Sequence, residues 1–274
     1  MRAFITGANG FIGRNLIEQL QRDGYFCDFY QRTDVIYELN KFNPDIIFNC
    51  AAEIYQPDKM FDSNIKLVNN ILEWVKNNSN TRMIQLGSSS EYGPMPVASS
   101  ENDRINPIDL YQATKGAATL LCQGYARQYH LDITIVRPYS VYGQHEKPHR
   151  LFPMLWKAAV LNQPMTLHAG EHDFIYIKDF IKGLLCIVNN TTDRIGDIIN
   201  LGSGLQYSNL EVLKIFEEVA DTILPVTYID QLAKSFESNV WKCNTSYCQN
   251  TYGFKCEYDL KSGIIDFLHT ADYR

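Results

Sequence analysis

Tyr111 and Lys115 form a pair of side chains that could perform acid/base chemistry. Residues at this spacing lie on one face of an α-helix, so the phenol hydroxyl and the ammonium can act together. A nearby positive charge lowers a tyrosine pKa from its usual value of about 10, as proton transfer near neutral pH requires. Pairs of this kind also occur on solvated helix faces, so the prediction depends on the motifs around it.

A glycine-rich loop near the start of the chain predicts a dinucleotide-binding site. It follows a predicted strand at residues 2–6 and precedes a predicted helix. In that setting glycines allow a tight turn and bring backbone N–H groups close to a pyrophosphate, although such turns also end strands for structural reasons alone. The expected cofactor contacts in the loop are Gly7, Asn9, Gly10, Phe11, Ile12 and Gly13.

The end of the second predicted strand favours NADP over NAD. An NAD-binding sheet usually places Asp or Glu there to hold the ribose hydroxyls, whereas this chain has Gln31 and Arg32. A neutral amide and a guanidinium suit a 2'-phosphate. The alternative is that Arg32 is an ordinary solvated residue, which leaves NAD as the second candidate.

Three serines follow the predicted strand at residues 83–86, at the edge of the sheet where ligands of open α/β sheets bind. Ser88, Ser89 and Ser90 are either turn-forming residues or hydroxyl donors directed at a substrate oxygen. Together with Tyr111 and Lys115, they favour the donor hypothesis.

The elements that must position these residues alternate along the chain between short apolar strands and amphipathic helices. This pattern predicts an α/β fold, a Rossmann-like doubly wound parallel sheet with a smaller, interleaved C-terminal substrate lobe. We predict a dinucleotide-binding domain at residues 1–150, to which residues 174–201 return, and a smaller lobe at residues 151–173 and 202–274. The predicted strands are residues 2–6, 26–30, 46–50, 83–86, 132–137 and 173–177, and the predicted helices include residues 62–77, 152–161, 208–220 and 259–268.

Composition excludes several classes of function. The 274 residues carry a formal net charge of −6, which lacks the basic footprint that binding to nucleic acid or an anionic membrane requires. No apolar run is long enough to span a membrane, and the seven cysteines and the histidines show no metal-ligand spacing. We expect a cytoplasmic protein without a metal site. A broad apolar face on the helix with Tyr111 predicts a homodimer.

In order and spacing, the motifs resemble the extended branch of the short-chain dehydrogenase/reductase superfamily, which acts on nucleotide sugars. The resemblance covers nearly the whole chain. It is carried by residues 7–13, 49–52, 88–93, 111–115, 137–143, 173–177 and 200–204.

The resemblance implies a role for each matching residue. Tyr111 is the acid/base, Lys115 holds the nicotinamide ribose and lowers the Tyr111 pKa, and Ser88 hydrogen-bonds the reacting oxygen. Pro138 and Tyr139 flank the nicotinamide. Further implied cofactor contacts are Cys50, Ala51, Ala52 and Leu86, and the implied substrate contacts are Ser89, Ser90, Ser140, Arg150 and His172.

Two departures from the family pattern bear on the reaction. Dehydratases of this branch have an Asp-Glu pair directly after the hydroxyl residue, whereas this chain has Ser89-Ser90, and Glu91 comes one position late. Dehydration is therefore disfavoured. His172 stands where many relatives have an arginine for the substrate diphosphate, a charge that Arg150, Lys157 or Lys242 could supply instead.

The leading hypothesis from the sequence is an NADPH-dependent reductase of a 4-keto nucleotide-linked deoxysugar, with Tyr111 as the proton donor. One alternative is an NAD-dependent nucleotide-sugar 4-epimerase, which runs the same chemistry in both directions around a tightly held NAD. A noncatalytic dinucleotide-binding protein is the other alternative, since a fold does not guarantee turnover.

Overall fold

The computed structural model describes residues 1–30, 34–190, 195–232 and 240–273, and it divides into two compact units. The first unit consists of Met1–Gly93, Glu101–Pro138 and Ile187–Asn200. The second consists of Pro94–Ser100, Tyr139–Cys186 and Leu201–Arg274. The assignment of one domain to the dinucleotide and the other to the substrate stays a prediction.

The described residues form strands and helices in alternation along most of the chain. The strands are β1 (Arg2–Thr6), β2 (Phe26–Phe29), β3 (Ile46–Asn49), β4 (Arg82–Leu86), β5 (Ile133–Pro138), β6 (Ser140–Tyr142), β7 (Met165–Ala169), β8 (Glu171–Tyr176), β9 (Asp197–Leu201), β10 (Gln206–Ser208) and β11 (Val226–Leu232). The helices are α1 (Phe11–Arg22), α2 (Val35–Phe42), α3 (Pro57–Phe61), α4 (Leu67–Asn77), α5 (Leu110–Tyr129), α6 (Leu151–Leu161), α7 (Ile177–Asn189), α8 (Asn209–Ala220), α9 (Ser246–Tyr252) and α10 (Leu260–Thr270).

The first unit is built on a six-stranded sheet in the order β2-β1-β3-β4-β5-β9. The pairings of β1 with β2, β1 with β3, β3 with β4 and β4 with β5 are all parallel. The predicted α/β fold with a parallel central sheet is confirmed. The first five strands begin and end within one residue of the sequence prediction, and the apolar runs of β1, β3, β4 and β5 are buried almost throughout.

The helices α2, α4 and α5 cover the sheet with apolar side chains. Val68, Ile71, Leu72 and Val75 of α4 lie in one buried cluster with the strand residue Ile47. Their helical spacing predicted this stripe from the sequence. The helix that contains Tyr111 and Lys115 is also present, as α5.

The strand order creates a switch point between β1 and β3. The chain leaves β1 towards β2 on one side and then returns to β3 on the other side. In open α/β sheets, ligands bind at the carboxyl ends of the strands beside such a point. The glycine-rich loop and the segment that follows β3 are both located there.

The predicted helix at residues 62–77 is less regular than its periodicity suggests. Asp62–Lys66 form a π turn between α3 and α4. Such a turn holds an extra residue and changes the direction in which its side chains point, and π turns are frequent at functional sites. The buried residue of this turn is Asn64.

The second unit contains two small sheets, β10-β8-β6 and β11-β7. The predicted strand at residues 173–177 is corrected, since β8 ends at Tyr176 and Ile177 begins α7. The capping box that predicted α8 is confirmed, because the Ser208 hydroxyl accepts the Glu211 N–H at 3.1 Å. Within the described residues, no helix combines the length and apolar character needed to cross a membrane.

Candidate dinucleotide and catalytic site

The loop between β1 and α1 has no space for a side chain at Gly7 or Gly13. Gly7 has a φ of 67°, and a Cβ atom there would lie 2.8 Å from the backbone nitrogen of Ala51. A Cβ atom at Gly13 would lie 2.3 Å from the Gly7 carbonyl oxygen. Gly10 caps α1 without a side chain that could accept the first N–H groups of the helix. These N–H groups and the positive end of the helix dipole form the kind of site that binds a pyrophosphate.

A series of buried hydrogen bonds connects this loop to the lysine. The Thr6 hydroxyl, at the end of β1, bonds to the side-chain oxygen of Asn49. Asn49 donates to the side-chain oxygen of Gln85 at 2.7 Å, and Gln85 donates to the Leu86 carbonyl at 2.9 Å. The Lys115 ammonium donates to the same carbonyl. Satisfied buried polar groups are rigid, so these bonds hold Lys115 at the carboxyl ends of β1, β3 and β4.

Lys115 lies in an environment that opposes its charge. Its side chain is buried, and burial lowers the pKa of the ammonium while the Glu91 carboxylate raises it. Burial raises the pKa values of Cys50 and Cys122 to about 12, so both thiols are protonated at neutral pH. Glu91 is therefore the nearby carboxylate that supports the charged form of Lys115.

Ser88 begins a 3₁₀ turn at Ser89–Tyr92, directly after β4. Its hydroxyl lies 2.6 Å from the Ser90 hydroxyl and accepts the Ser90 N–H at 3.2 Å. The Ser88 N–H donates to Oε1 of Glu91 at 2.7 Å. These bonds form a capping box, so the serines shape a turn at the ligand edge of the sheet. The donor role predicted for Ser88 stays a prediction.

Glu91 and Arg137 form a buried ion pair that sequence reasoning missed. Oε2 of Glu91 receives Nε of Arg137 at 2.9 Å and Nη2 at 2.8 Å, with the two side chains 0% and 2% exposed. The Arg137 guanidinium also lies 4.5 Å from the centre of the Tyr92 ring. The available signal was an arginine at the end of an apolar strand, since a buried charge requires a partner.

Asn64 is a second positioning residue that the sequence did not reveal. From the π turn, its side chain accepts the Glu53 N–H at 2.8 Å and donates to the Glu53 carbonyl at 2.9 Å. It also donates to the Thr114 hydroxyl at 3.0 Å, which donates to the Tyr111 carbonyl at 2.9 Å. The loop after β3 is thereby joined to α5 between Tyr111 and Lys115.

Tyr111 lies in the first turn of α5 and is half-buried. Asp109 begins this helix by accepting the Gln112 N–H at 2.8 Å. The helix continues without interruption through Lys115, so the two residues share a face as their spacing predicted.

The other predicted cofactor residues are distributed as follows. Cys50 and Ala51 are half-buried, Ala52 and Asn9 are exposed, and all four lie in loops at the carboxyl ends of β1 and β3. Pro138 ends β5 in the first unit. The residues on which the preference for NADP depended, Gln31 and Arg32, lie outside the described residues.

The second unit holds Tyr139 and three of the predicted substrate residues. Tyr139 is buried, and Ser140 lies in β6, where it pairs in register with Phe174 of β8. The His172 ring packs against Phe174 with the ring centres 5.4 Å apart. Arg150 is exposed at the N-cap of α6.

His172 and Arg150 differ in charge near neutral pH. Burial, together with the Arg150 charge, lowers the pKa of His172 to about 4. The imidazole is therefore neutral near pH 7 and does not replace the charge of an arginine at its position. Arg150 places Nε 3.4 Å from Oε1 of Glu146, a buried carboxyl whose pKa burial raises to about 7 against the opposing effect of Arg150.

Comparison with known proteins gives a family and a common fold. Residues 3–202 match the model of the NAD dependent epimerase/dehydratase family. The uncharacterized UDP-glucose epimerase YtcB of Bacillus subtilis is 26% identical over 97% of this chain and 96% of its own length. The dTDP-glucose 4,6-dehydratase of Haemophilus influenzae is 24% identical over 82% of this chain and 81% of its own.

Solved structures show the same fold. The UDP-glucuronic acid 4-epimerase of Bacillus cereus, in complex with UDP-glucuronic acid and NAD, superposes with a TM-score of 0.88. That likeness covers 98% of this chain and 99% of the other at 23% identity.

Proposed function

We propose, since the chain belongs to the NAD dependent epimerase/dehydratase family, that it is an NAD-dependent nucleotide-sugar 4-epimerase. The observation that carries the choice of reaction is the state of Glu91. Both of its oxygens are occupied in a buried pair, one by the Ser88 N–H and the other by Arg137. An epimerase needs no carboxylic acid at this place in the site.

Dehydration is disfavoured by the same geometry. Elimination of water needs an acid and a base besides the tyrosine, and the corresponding positions hold Ser89 and Ser90. Glu91 cannot serve instead, because its carboxylate is fully buried and bound to a guanidinium. The family's other named reaction therefore lacks its side chains here.

The comparisons favour the epimerase over the NADPH-dependent reductase of the leading sequence hypothesis. The relative with the greatest coverage among those described is named an epimerase, and the solved epimerase contains NAD. The reductase hypothesis depended on Gln31 and Arg32, whose positions the structure does not describe.

The residues present fit a nicotinamide dinucleotide. The glycine loop leaves space at Gly7 and Gly13 that a Cβ atom would fill, and the first turn of α1 is uncapped by side chains. Lys115 offers a buried ammonium for a ribose hydroxyl. A bound dinucleotide of this kind supplies reversible hydride exchange with a sugar carbon.

In the proposed mechanism, the chain's own residues move and hold protons. Tyr111 removes the proton of the C4 hydroxyl when the sugar is oxidised and returns a proton when it is reduced. Lys115 supports the phenolate with its positive charge. Ser88 donates a hydrogen bond to the sugar oxygen in both steps and so stabilises the charge that develops there.

The nucleotide end of the substrate is proposed to bind the second unit. Arg150 is the candidate for the diphosphate, because its guanidinium is exposed and bidentate pairing suits phosphate oxygens. A neutral His172 offers a hydrogen bond without charge. Ser89, Ser90 and Ser140 are the proposed hydroxyl contacts for the sugar.

The test is to measure the cofactor content and the turnover of the purified protein. We expect bound NAD, and interconversion of UDP-glucose and UDP-galactose, or of the corresponding glucuronic and galacturonic acids, without added reductant. Consumption of added NADPH during conversion of a 4-keto nucleotide sugar would instead establish the reductase. Dinucleotide binding without turnover on any of these sugars would support a noncatalytic protein.

We propose that the active form is a homodimer that pairs through α5. Leu110 and Leu120 on this helix are 52% and 57% exposed, and the exposed Ala113 lies between them at helical spacing. Apolar residues along one exposed stripe are typical of a helix that packs against another protein. A second copy of the chain presents the same stripe, so the two α5 helices can pack against each other across a twofold axis.

A further inference from the structure

We propose that Glu91 is the positioning residue for Ser88, with Arg137 holding its carboxylate in place. The inference rests on the proposed function, in which the Ser88 hydroxyl contacts the reacting oxygen of the sugar. It assigns to Glu91 a role other than proton transfer.

The two oxygens of the Glu91 carboxylate have separate partners. Oε1 accepts the Ser88 N–H at 2.7 Å. Oε2 receives two nitrogens of Arg137, Nε at 2.9 Å and Nη2 at 2.8 Å. The backbone of Ser88 is therefore connected through one carboxylate to Arg137, a buried side chain of β5.

The backbone around Glu91 strengthens this connection. A Cβ atom at Gly87 would lie 2.6 Å from Oε1 of Glu91, so the strand end is shaped to let the carboxylate approach. The Glu91 carbonyl accepts the Asn106 N–H at 3.0 Å, and the Ser88 hydroxyl caps the turn through the Ser90 N–H. These bonds fix the backbone of Ser88, and therefore the position from which its side chain extends.

Only a carboxylate of this length can satisfy both partners. A glutamine at position 91 has one acceptor oxygen and one NH₂ group. If the oxygen accepts from Ser88, the NH₂ group faces the N–H donors of Arg137, and if the oxygen accepts from Arg137, the NH₂ group faces the Ser88 N–H. An aspartate is shorter by one methylene and cannot span the two contacts. The substitution Glu91→Gln therefore frees either the serine backbone or a buried guanidinium.

Glu91 also affects charges around the lysine, which is a separate route to catalysis. Among the described residues, Cys50 and Cys122 interact electrostatically with Lys115. Tyr92 and Glu101 interact with Arg137, the partner of Glu91. A loss of the Glu91 charge would weaken the positive charge on Lys115 whatever residue occupies position 88. An effect through Ser88, in contrast, depends on the serine hydroxyl.

A double-mutant cycle separates the two routes. The variants E91Q, S88A and E91Q/S88A are compared with wild type for kcat and KM on UDP-glucuronic acid and UDP-glucose, after each is purified and supplied with NAD. We expect E91Q to lower kcat by about 10- to 100-fold with KM changed less than about threefold, as misplacement of a group that acts in the transition state does. In the S88A background, E91Q should lower kcat by less than about threefold.

Two further variants control for folding and for general effects of charge. E101Q removes a neighbouring partly buried carboxylate that holds the Asn200 N–H at 2.9 Å, and we expect it to keep kcat within about threefold of wild type. In E91Q/R137Q, the amide at position 91 can keep its oxygen on the Ser88 N–H and donate to the amide at position 137, which reaches the place of Nε. This variant should recover most of the kcat lost in E91Q.

If E91Q alone does not fold, the cycle is run with E91Q/R137Q with and without S88A, and a folded E91Q/R137Q that is slowed at least tenfold overturns the proposal. An equal loss of kcat from E91Q in both serine backgrounds also overturns it, because Glu91 then acts through Lys115 or through the fold. A wild-type protein that turns over neither sugar refutes the proposed function itself, and the positioning role falls with it. If wild type turns over substrate and S88A loses activity, but the effects of E91Q and S88A are additive, the proposed function stands and only the positioning role of Glu91 is refuted.

Discussion

Replacement of Gly13 by alanine tests the geometry of the proposed cofactor loop. The added Cβ atom would lie 2.3 Å from the Gly7 carbonyl oxygen, whereas ordinary contacts are 3.4 Å or longer. Because that oxygen belongs to the backbone, the loop or α1 must move by about 1 Å. Overpacking of this kind costs about 1–3 kcal/mol, against a gain of up to about 1 kcal/mol from alanine in a helix. We expect a net loss of up to about 2 kcal/mol of unfolding free energy.

The larger effect should be on the dinucleotide. A shift of about 1 Å removes one or two charge-assisted N–H bonds to the pyrophosphate, each worth about 1.5–3 kcal/mol, so NAD affinity should fall at least tenfold. The assays are urea unfolding and the amount of NAD released by heat from each purified variant. Gly124→Ala in α5 is the matched control, since a Cβ there meets nothing within 4 Å. It should keep its NAD content and gain up to about 1 kcal/mol of unfolding free energy from the helix propensity of alanine. An NAD content in Gly13→Ala equal to that of wild type would refute the proposed role of the glycine loop in NAD binding.

Three other substitutions probe the catalytic, electrostatic and assembly proposals. Tyr111→Phe should lower kcat by about 10² to 10⁴ with NAD content unchanged, and full turnover would contradict its role as the acid/base. Burial raises the pKa of Glu146 to about 7 in the folded protein, above its unfolded value, so wild type should lose up to about 3 kcal/mol of unfolding free energy as pH rises from about 4.5 to about 7. Glu146→Gln cannot ionise and should not show this loss. Urea unfolding at pH 4.5 and 8 tests this, and an equal difference between variant and wild type at both pH values would contradict it. Leu120→Glu should convert the dimer to a monomer in light scattering, and an unchanged mass would exclude the α5 interface.

Local sequence patterns were sufficient for most elements of the first unit. The strands β1 and β3 are largely apolar runs, so their identity as buried parallel strands follows from composition and length. The α8 capping box and the helix through Tyr111 and Lys115 are likewise set by residues within one or two turns of each other. These features need no information from distant parts of the chain.

Features that depend on distant residues did not follow from the sequence. The π turn that directs Asn64 towards Thr114 is compatible with the same apolar periodicity as a regular helix, so periodicity does not reveal it. The start of α7 at Ile177 was predicted as strand, because a short apolar run suits either structure. Hydrogen bonds between elements decide such cases.

The sequence by itself determined the kind of chemistry, through a glycine loop, a serine turn and a tyrosine–lysine pair whose members are close in the chain. The tertiary structure alone decided how that chemistry is held in place. Glu91 and Arg137 are separated by 46 positions, and the bond from Lys115 to Leu86 spans 29. A buried charge is stable only beside a partner that folding brings to it, so no local pattern could pair the Glu91 carboxylate with Arg137.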